Sequence, residues 1–395
     1  MDQLTGYLET TGLKIVRPFS GSYLLEGKSH VAHLSLDECV IRRLEEEREQ
    51  YKDVSESSPK ERDLVERKVF QEVDVVCTTC VYGGLKGPSW RVKFTSVLID
   101  EATQAIEPDT VMAIHFFAKH LVLVGDHMQL GPVVQSLSCS KAGFDKSLFQ
   151  RLVELCVCPV RQELQYHMHP ALSAFPSVAF YDGRLQNGIS AGKRAHPPLP
   201  ANTDGEFHTP FLWPRRNVPL IFYNCSGREE ISSTCTSYLN TQEADICAKF
   251  ITAFCNSGIS LSDIGVITPY LGQRAYLSTL VGTRKIRVLG DEGCEGIEVD
   301  SVDAFQGCEK EYIILSCVHS SEKGNMGFLT SKNRLNVSIT HTKRGLIIIG
   351  NVQTLANNTL WRFFIVHCSS QGVLVQGPLN ALEKCIVPKP LESSY

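Results

Sequence analysis

Short apolar, β-branched runs alternate with helical stretches over most of the chain. Val73–Val76, Ser96–Ile99 and Leu121–Val124 are predicted strands. A second group follows at Pro219–Tyr223, Ile264–Thr268, Glu298–Val302, Tyr312–Val318 and Leu346–Ile349. Uninterrupted apolar runs of this kind suit strands buried on both faces of a parallel sheet. Helical stretches such as Pro108–His120 fall between them, and the two groups of strands predict two α/β sheets. Upstream, Leu36–Arg48 and Pro59–Phe70 are dense in charge and flank the polar linker Asp53–Pro59. They predict a solvated helical hairpin inserted into the first domain. Asn187–Pro214, rich in Gly, Pro and polar residues, predicts a surface loop.

Composition excludes more than it selects. A length of 395 residues fits two or three domains, at roughly 150 residues each. With 43% hydrophobic and 21% charged residues the chain is not mostly disordered. Lys+Arg is 39 against 43 Asp+Glu, a net charge of −4. That excludes a strongly basic nucleic-acid binder and leaves room for a local basic groove. The 15 cysteines are mostly scattered singly, which fits a reducing compartment. Cys77-Thr-Thr-Cys80 has no second pair at zinc spacing and reads as strand-end thiols. No secretory signal pattern opens the chain, and no apolar run approaches the ~18 residues of a membrane span.

Candidate chemistry begins at Val97-Leu-Ile-Asp100-Glu101. An apolar strand ending in two acids puts carboxylates at the carboxyl edge of a parallel sheet, where ligands sit in such folds. Asp100 suits Mg²⁺ held through water, and Glu101 suits orienting or deprotonating a water. The plain alternative is an acidic pair on a solvated loop. Next comes Gly125-Asp-His-Met-Gln129-Leu-Gly131, whose glycines free a tight loop and bring Gln129 within reach of a phosphate or a water. Gln165-Tyr-His-Met-His-Pro170, Thr268-Pro-Tyr-Leu-Gly-Gln273, Val302-Asp-Ala-Phe-Gln-Gly-Cys-Glu-Lys310 and Arg334-Leu-Asn-Val-Ser-Ile-Thr-His-Thr-Lys343 follow in order.

This order of motifs resembles superfamily 1 helicases, most closely the Upf-type RNA helicases of nonsense-mediated mRNA decay. The resemblance runs from about Met1 to Leu382 and includes Thr11–Arg17, the Leu148–Leu155 helix, Ala171–Pro176 and Gly377–Asn380. It implies two RecA-like parallel-sheet domains of the P-loop NTPase fold, with ATP between them and single-stranded RNA across the top. The implied domains are 1–160, incomplete and carrying the hairpin at about 28–70, and 161–375, followed by a C-terminal tail at 376–395. By resemblance, Asp100 and Glu101 are the Mg²⁺ and water-activating pair, and Gln129 is the γ-phosphate sensor. Tyr166 packs on adenine, while Gln306, Gly307 and Glu309 face nucleotide from the second domain. Thr78, Thr79, Thr268, Tyr270 and Gln273 lie along the RNA backbone. Backbone contacts suit a motor that steps along any sequence, and strand-end packing is the plain alternative for the threonines and Tyr270. The implied cofactors are ATP and Mg²⁺, and the implied partners are single-stranded RNA and other decay factors. The implied place is the cytoplasm, without a membrane.

The sequence departs from the family twice. No G-x-x-x-x-G-K-[ST] occurs. Gly21-Ser-Tyr-Leu-Leu-Glu-Gly27-Lys28-Ser29 has five residues between its glycines and stands at the wrong point in the motif order, so it reads as a decoy. The expectation is that Met1 falls inside the first RecA-like domain, with the P-loop upstream. Second, the family carries arginine where this chain has His167 and His341, and often where it has Cys308. An imidazole lacks the planar, permanently charged fork of a guanidinium. Lys343 and Arg344 stand near but shifted. The leading reading is a fragment of an ATP-dependent RNA helicase. The alternatives are a catalytically dead, helicase-derived RNA-binding or interaction protein, and a related DNA helicase. A RecA-like domain without its P-loop strand exposes apolar sheet, so the first half is expected to be marginal.

Overall fold

The computed structural model describes residues 2–18, 31–51, 59–85, 94–114, 118–195, 211, 213–232, 237–282, 296–305, 309–321 and 326–388. The chain divides into two compact units. One comprises 1–127 and 131–159, the other 128–130 and 160–395.

The first unit opens with α1 (Asp2–Glu9) and β1 (Ile15–Val16). The helices α2 (Leu36–Tyr51) and α3 (Pro59–Glu72) follow, then β2 (Val75–Val76) and α4 (Cys80–Leu85). Strands β1 and β2 pair in parallel, Ile15 opposite Val75, so the helical pair is an insertion between adjacent strands. Val40 on α2 and Val65, Val69 and Phe70 on α3 are buried with Val16 and Leu36, one apolar stripe at helical spacing. The outward faces are charged, with Arg43–Glu72 and Lys68–Glu47 both at 2.9 Å. Exposed pairs of this kind add little stability, so the apolar stripe holds the insertion. Cys77 is buried, Cys80 is half-buried, and both are free thiols.

Next come β3 (Ser96–Ile99), α5 (Glu107–Ala113), β4 (His120–Leu123), α6 (Leu137–Lys141) and α7 (Leu148–Glu154). Strands β3 and β4 pair in parallel, Ile99 opposite Leu123. Two expectations fail here. The helix after Pro108 ends at Ala113, because His120 is drawn into β4 opposite Ser96. The two strands are also not buried on both faces: Leu98 is 61% and Val122 48% exposed. Among the described residues β3 and β4 pair only with each other, so no full sheet surrounds them.

The second unit begins with β5 (Leu164–Gln165), α8 (Pro170–Phe180) and β6 (Gln186–Asn187), then β7 (Leu220–Asn224), β8 (Glu230–Ile231), β9 (Tyr238–Leu239) and α9 (Thr241–Cys255). It continues with β10 (Ile264–Ile267), α10 (Leu271–Gly282), β11 (Glu298–Asp300), β12 (Lys310–Ser316) and α11 (Lys332–Thr340). It ends with β13 (Thr342–Gly350), α12 (Val352–Leu355), α13 (Thr359–Ser370), β14 (Leu374–Gln376) and β15 (Glu383–Lys384). Seven strands form one sheet in the order β11-β10-β12-β13-β7-β14-β15. All neighbours are parallel except β14 and β15. Alternate residues feed two cores. Leu220, Phe222, Ile313, Leu315, Leu346 and Ile348 join one face with Phe175 and Trp361. Ile221, Ile264, Val266, Ile314, Ile347 and Ile349 join the other with Phe250 and Leu277. Period-two alternation with both phases apolar is the pattern of a sheet covered on both sides. Part of the segment read as a tail folds back, since β15 pairs with β14 and Pro388 accepts a hydrogen bond from Arg362 at 2.8 Å. The segment read as a surface loop contains the end of β6 and a 3-10 turn at Ala191–Arg194.

Candidate functional site

In the first unit Asp100 and Glu101 leave the carboxyl end of β3, both exposed. Glu101 stands at φ +51°, the left-handed region that non-glycine residues seldom adopt. Several bonds hold the turn there. Asp100 Oδ1 accepts from the Glu101 N–H at 3.0 Å, Gln104 donates to Glu101 Oε2 at 3.0 Å, and the Ala102 N–H reaches the Val124 carbonyl at 2.8 Å. Gly125 makes the approach possible, because a Cβ there would lie 3.1 Å from Thr103. Thr103 Oγ1 is buried in the same turn, without a hydrogen-bond partner among the described residues. Thr79 is exposed and accepts weakly from the Tyr82 N–H at 3.4 Å, whereas the Thr78 hydroxyl is buried, with no hydrogen-bond partner among the described residues.

Gln129 belongs to the second unit. Its carbonyl accepts from Asn333, the Met128 carbonyl accepts from Asn336 at 3.0 Å, and Leu130 is buried in the core. Residues 128–130 are therefore fastened to α11.

The second unit gathers His167, Glu309 and Lys343. His167 Nδ1 stands 3.0 Å from one Glu309 oxygen and Lys343 Nζ 3.0 Å from the other. The His167 contact, followed by Lys343, pulls the Glu309 carboxyl down to about 2. Gln165 shapes the loop, its side-chain carbonyl accepting from the His167 and Met168 N–H groups at 2.8 Å each. The His169 N–H reaches the Lys343 carbonyl at 2.9 Å, which brings the loop to the start of β13. His169 Nδ1 accepts from the Ala171 N–H at 3.1 Å, and burial lowers its pKa, so a neutral ring caps α8. Tyr166 is 60% exposed, with its backbone carbonyl held by Arg194 at 2.9 Å. Its ring lies on Gly188, where any Cβ would collide with it. An open aromatic on a fixed backbone suits stacking on a planar ring. His341 caps α11, and its carbonyl accepts from the Lys310 N–H at 3.2 Å. Gln306, Gly307 and Cys308 lie outside the described residues, as does the Gly21–Ser29 decoy.

Thr268, Tyr270 and Gln273 were expected along RNA, and all three side chains are buried. Gln273 Oε1 accepts from the Asn240 N–H at 2.8 Å, while its Nε2 donates to the Asn240 carbonyl at 3.1 Å and Ser316 Oγ at 3.0 Å. Tyr270 hydrogen-bonds His319 Nε2, and His319 Nδ1 lies 2.6 Å from Glu229. Burial pushes the Tyr270 hydroxyl up to about 12. These residues sit at the carboxyl ends of β10 and β12, but they brace the loops there from within. Residue spacing missed their partners, since His319, Glu229, Asn240 and Glu243 form no continuous motif in sequence. Glu243 is buried, accepting from Ser316 at 2.7 Å and the Val318 N–H at 2.8 Å. Burial raises its carboxyl to about 8, and among the described residues its Oε1 has no hydrogen-bond partner.

The donor set fits the cation end of Mg²⁺·ATP. Exposed Asp100 and Glu101 suit a hydrated cation and a polarised water. No G-x-x-x-x-G-K-[ST] is present to cradle the phosphates.

Comparison with known proteins gives a consistent result. Residues 144–353 match the AAA domain family AAA_12, and residues 30–137 match the AAA domain family AAA_11. The chain is 42% identical over 400 residues to "Regulator of nonsense transcripts 1 homolog" of Neurospora crassa, covering 98% of this chain and 35% of that protein. It is 41% identical to "ATP-dependent helicase upf1" of Schizosaccharomyces pombe, covering 97% and 41%. It is 42% identical to "ATP-dependent helicase NAM7" of Saccharomyces cerevisiae, covering 98% and 39%. The chain thus spans about two fifths or less of the length of these relatives.

Proposed function

Since the chain belongs to the AAA-domain family, among the regulators of nonsense transcripts 1, we propose that it carries the RNA-tracking core of an ATP-dependent RNA helicase of nonsense-mediated decay. The observation that carries the reading is the acidic pair at the end of β3. Asp100 and Glu101 are exposed side by side, with Glu101 held at φ +51° by Gln104 and its own turn. A strained acidic residue at the carboxyl edge of parallel strands supports a site there. The ligand is single-stranded RNA, and the partners are other decay factors in the cytoplasm. Among the described residues no helix is long and apolar enough to cross a membrane. Gln129, His167, His341, Tyr166 and Glu309 are the proposed nucleotide-facing residues, and Thr78 and Thr79 the proposed RNA contacts of the first unit. The buried Thr268, Tyr270 and Gln273 then act by holding the loops of the second unit.

A second reading is favoured by a specific observation. Glu309 is already engaged by His167 and Lys343. On this reading the chain binds RNA without turning over ATP. RNA-stimulated ATP hydrolysis and strand displacement, on RNA and DNA duplexes, separate the two. Hydrolysis that rises when His167 and His341 are replaced by Arg supports the helicase. RNA binding indifferent to ATP in both proteins supports the second reading, and displacement on DNA alone removes RNA as the substrate.

A further inference from the structure

We propose that Phe328 is a base-stacking platform for single-stranded RNA. The proposal rests on the reading of RNA as ligand and assigns the contact that buried Tyr270 does not make. Phe328 lies in the 3-10 turn Gly327–Thr330, between β12 and α11. Its neighbours Met326 and Leu329 are buried, while Phe328 itself is 52% exposed. The turn is rigid. Gly327 has φ +45°, and a Cβ there would lie 2.7 Å from the Tyr270 hydroxyl. The Trp361 indole donates to the Leu329 carbonyl at 2.8 Å. The Phe328 ring rests 5.9 Å from Tyr270, which is itself packed edge-on against Tyr238 and His319. The ring is therefore fixed from below and open outward, near the carboxyl ends of β10 and β12.

A cation covers its open face. The Arg334 guanidinium lies over the ring, 4.8 Å from its centre, and Lys332, the first residue of α11, is exposed. Arg334 also donates to both oxygens of Asp303, each at 3.4 Å. An exposed cation–π contact is weaker than a base stacked on an aromatic ring. A base therefore displaces the guanidinium, which turns to the adjoining phosphate. Stacking tolerates any base, as RNA tracking requires. Nothing in the core explains a half-exposed phenylalanine on a turn this well anchored.

The test compares two fluorescein-labelled oligomers of equal length, oligoadenosine and an abasic ribose-phosphate chain, at fixed salt. The full chain should bind the adenosine oligomer more tightly. Phe328→Ala should lower that affinity about five- to hundredfold and leave abasic binding unchanged. Phe328→Trp should retain affinity, and its added emission should be quenched by the adenosine oligomer and not by the abasic one. Phe328→Ala binding both oligomers like the parent, or weakening both alike with a lowered melting temperature, overturns the platform alone. Failure of the parent to bind either oligomer removes the RNA reading and the platform with it.

Discussion

Strands β12 and β3 are built from the same residue types and end in different surroundings. In β12 Tyr312 and Ile314 face one apolar layer and Ile313 and Leu315 the other, all buried. In β3 only Ile99 is buried, and Leu98 stands open. An apolar run thus becomes a two-faced core strand only when layers exist on both sides. The second unit supplies them with α9 and α10 against one face and α8, α11 and α13 against the other. The first unit surrounds β3 and β4 with far less among the described residues. The contrast extends to the carboxylates: the first unit displays Asp100 and Glu101, while the second hides Glu243.

The largest effect should come from the central strands of the second unit. Ile348→Ala removes a fully buried side chain from β13, and should cost about 2–5 kcal/mol in urea unfolding. A loss below about 1 kcal/mol would mean that this face collapses around a vacancy, and the comparison would break. Gly265→Ala probes the same unit by overfilling. A Cβ there would meet the Phe305 ring at 2.9 Å, so a loss of about 1–3 kcal/mol is expected. An unchanged urea midpoint would show that Phe305 can move aside.

Glu243 sharpens the contrast between hidden and displayed acids. In the fold its carboxyl holds its proton up to about 8, against 4.5 in a free side chain. Across that window the unfolded chain releases a proton that the fold retains. Stability therefore falls as pH rises through it, and is fullest below the free value. Glu243→Gln should flatten the fall in melting temperature between those two pH values. A slope equal to that of the parent would mean that Glu243 is ionised in the fold.

Much of this could be read in the residues, and the misses share a cause. Parallel strands were legible wherever β-branched runs were long, as at Ile264–Ile267 and within Thr342–Gly350. The short β1, β5, β6, β8 and β9 carry two residues each, too few for a period to register. The Asp100–Glu101 turn was legible because strand, acids and glycine adjoin in sequence. The Tyr270–His319–Glu229 chain was not, because its members come from three separate loops. Phe328 escaped for the opposite reason, since an aromatic beside Met326 and Leu329 reads as core and only the turn at Gly327 rotates it outward.

The smallest effect should come from the open strand of the first unit. Leu98 is 61% exposed on β3, so Leu98→Ala should shift the urea midpoint by no more than about 0.5 kcal/mol in stability. Replacing it with lysine should be equally mild in stability and should lower aggregation, because an open apolar strand face invites association. Limited proteolysis of the full chain extends the test: cleavage should enter residues 1–159 before 160–388. A cost near that of Ile348→Ala, together with equal protection of both units, would mean that Leu98 is covered in solution. The difference between the two units would then lie in what each one meets, and no longer in how each one packs.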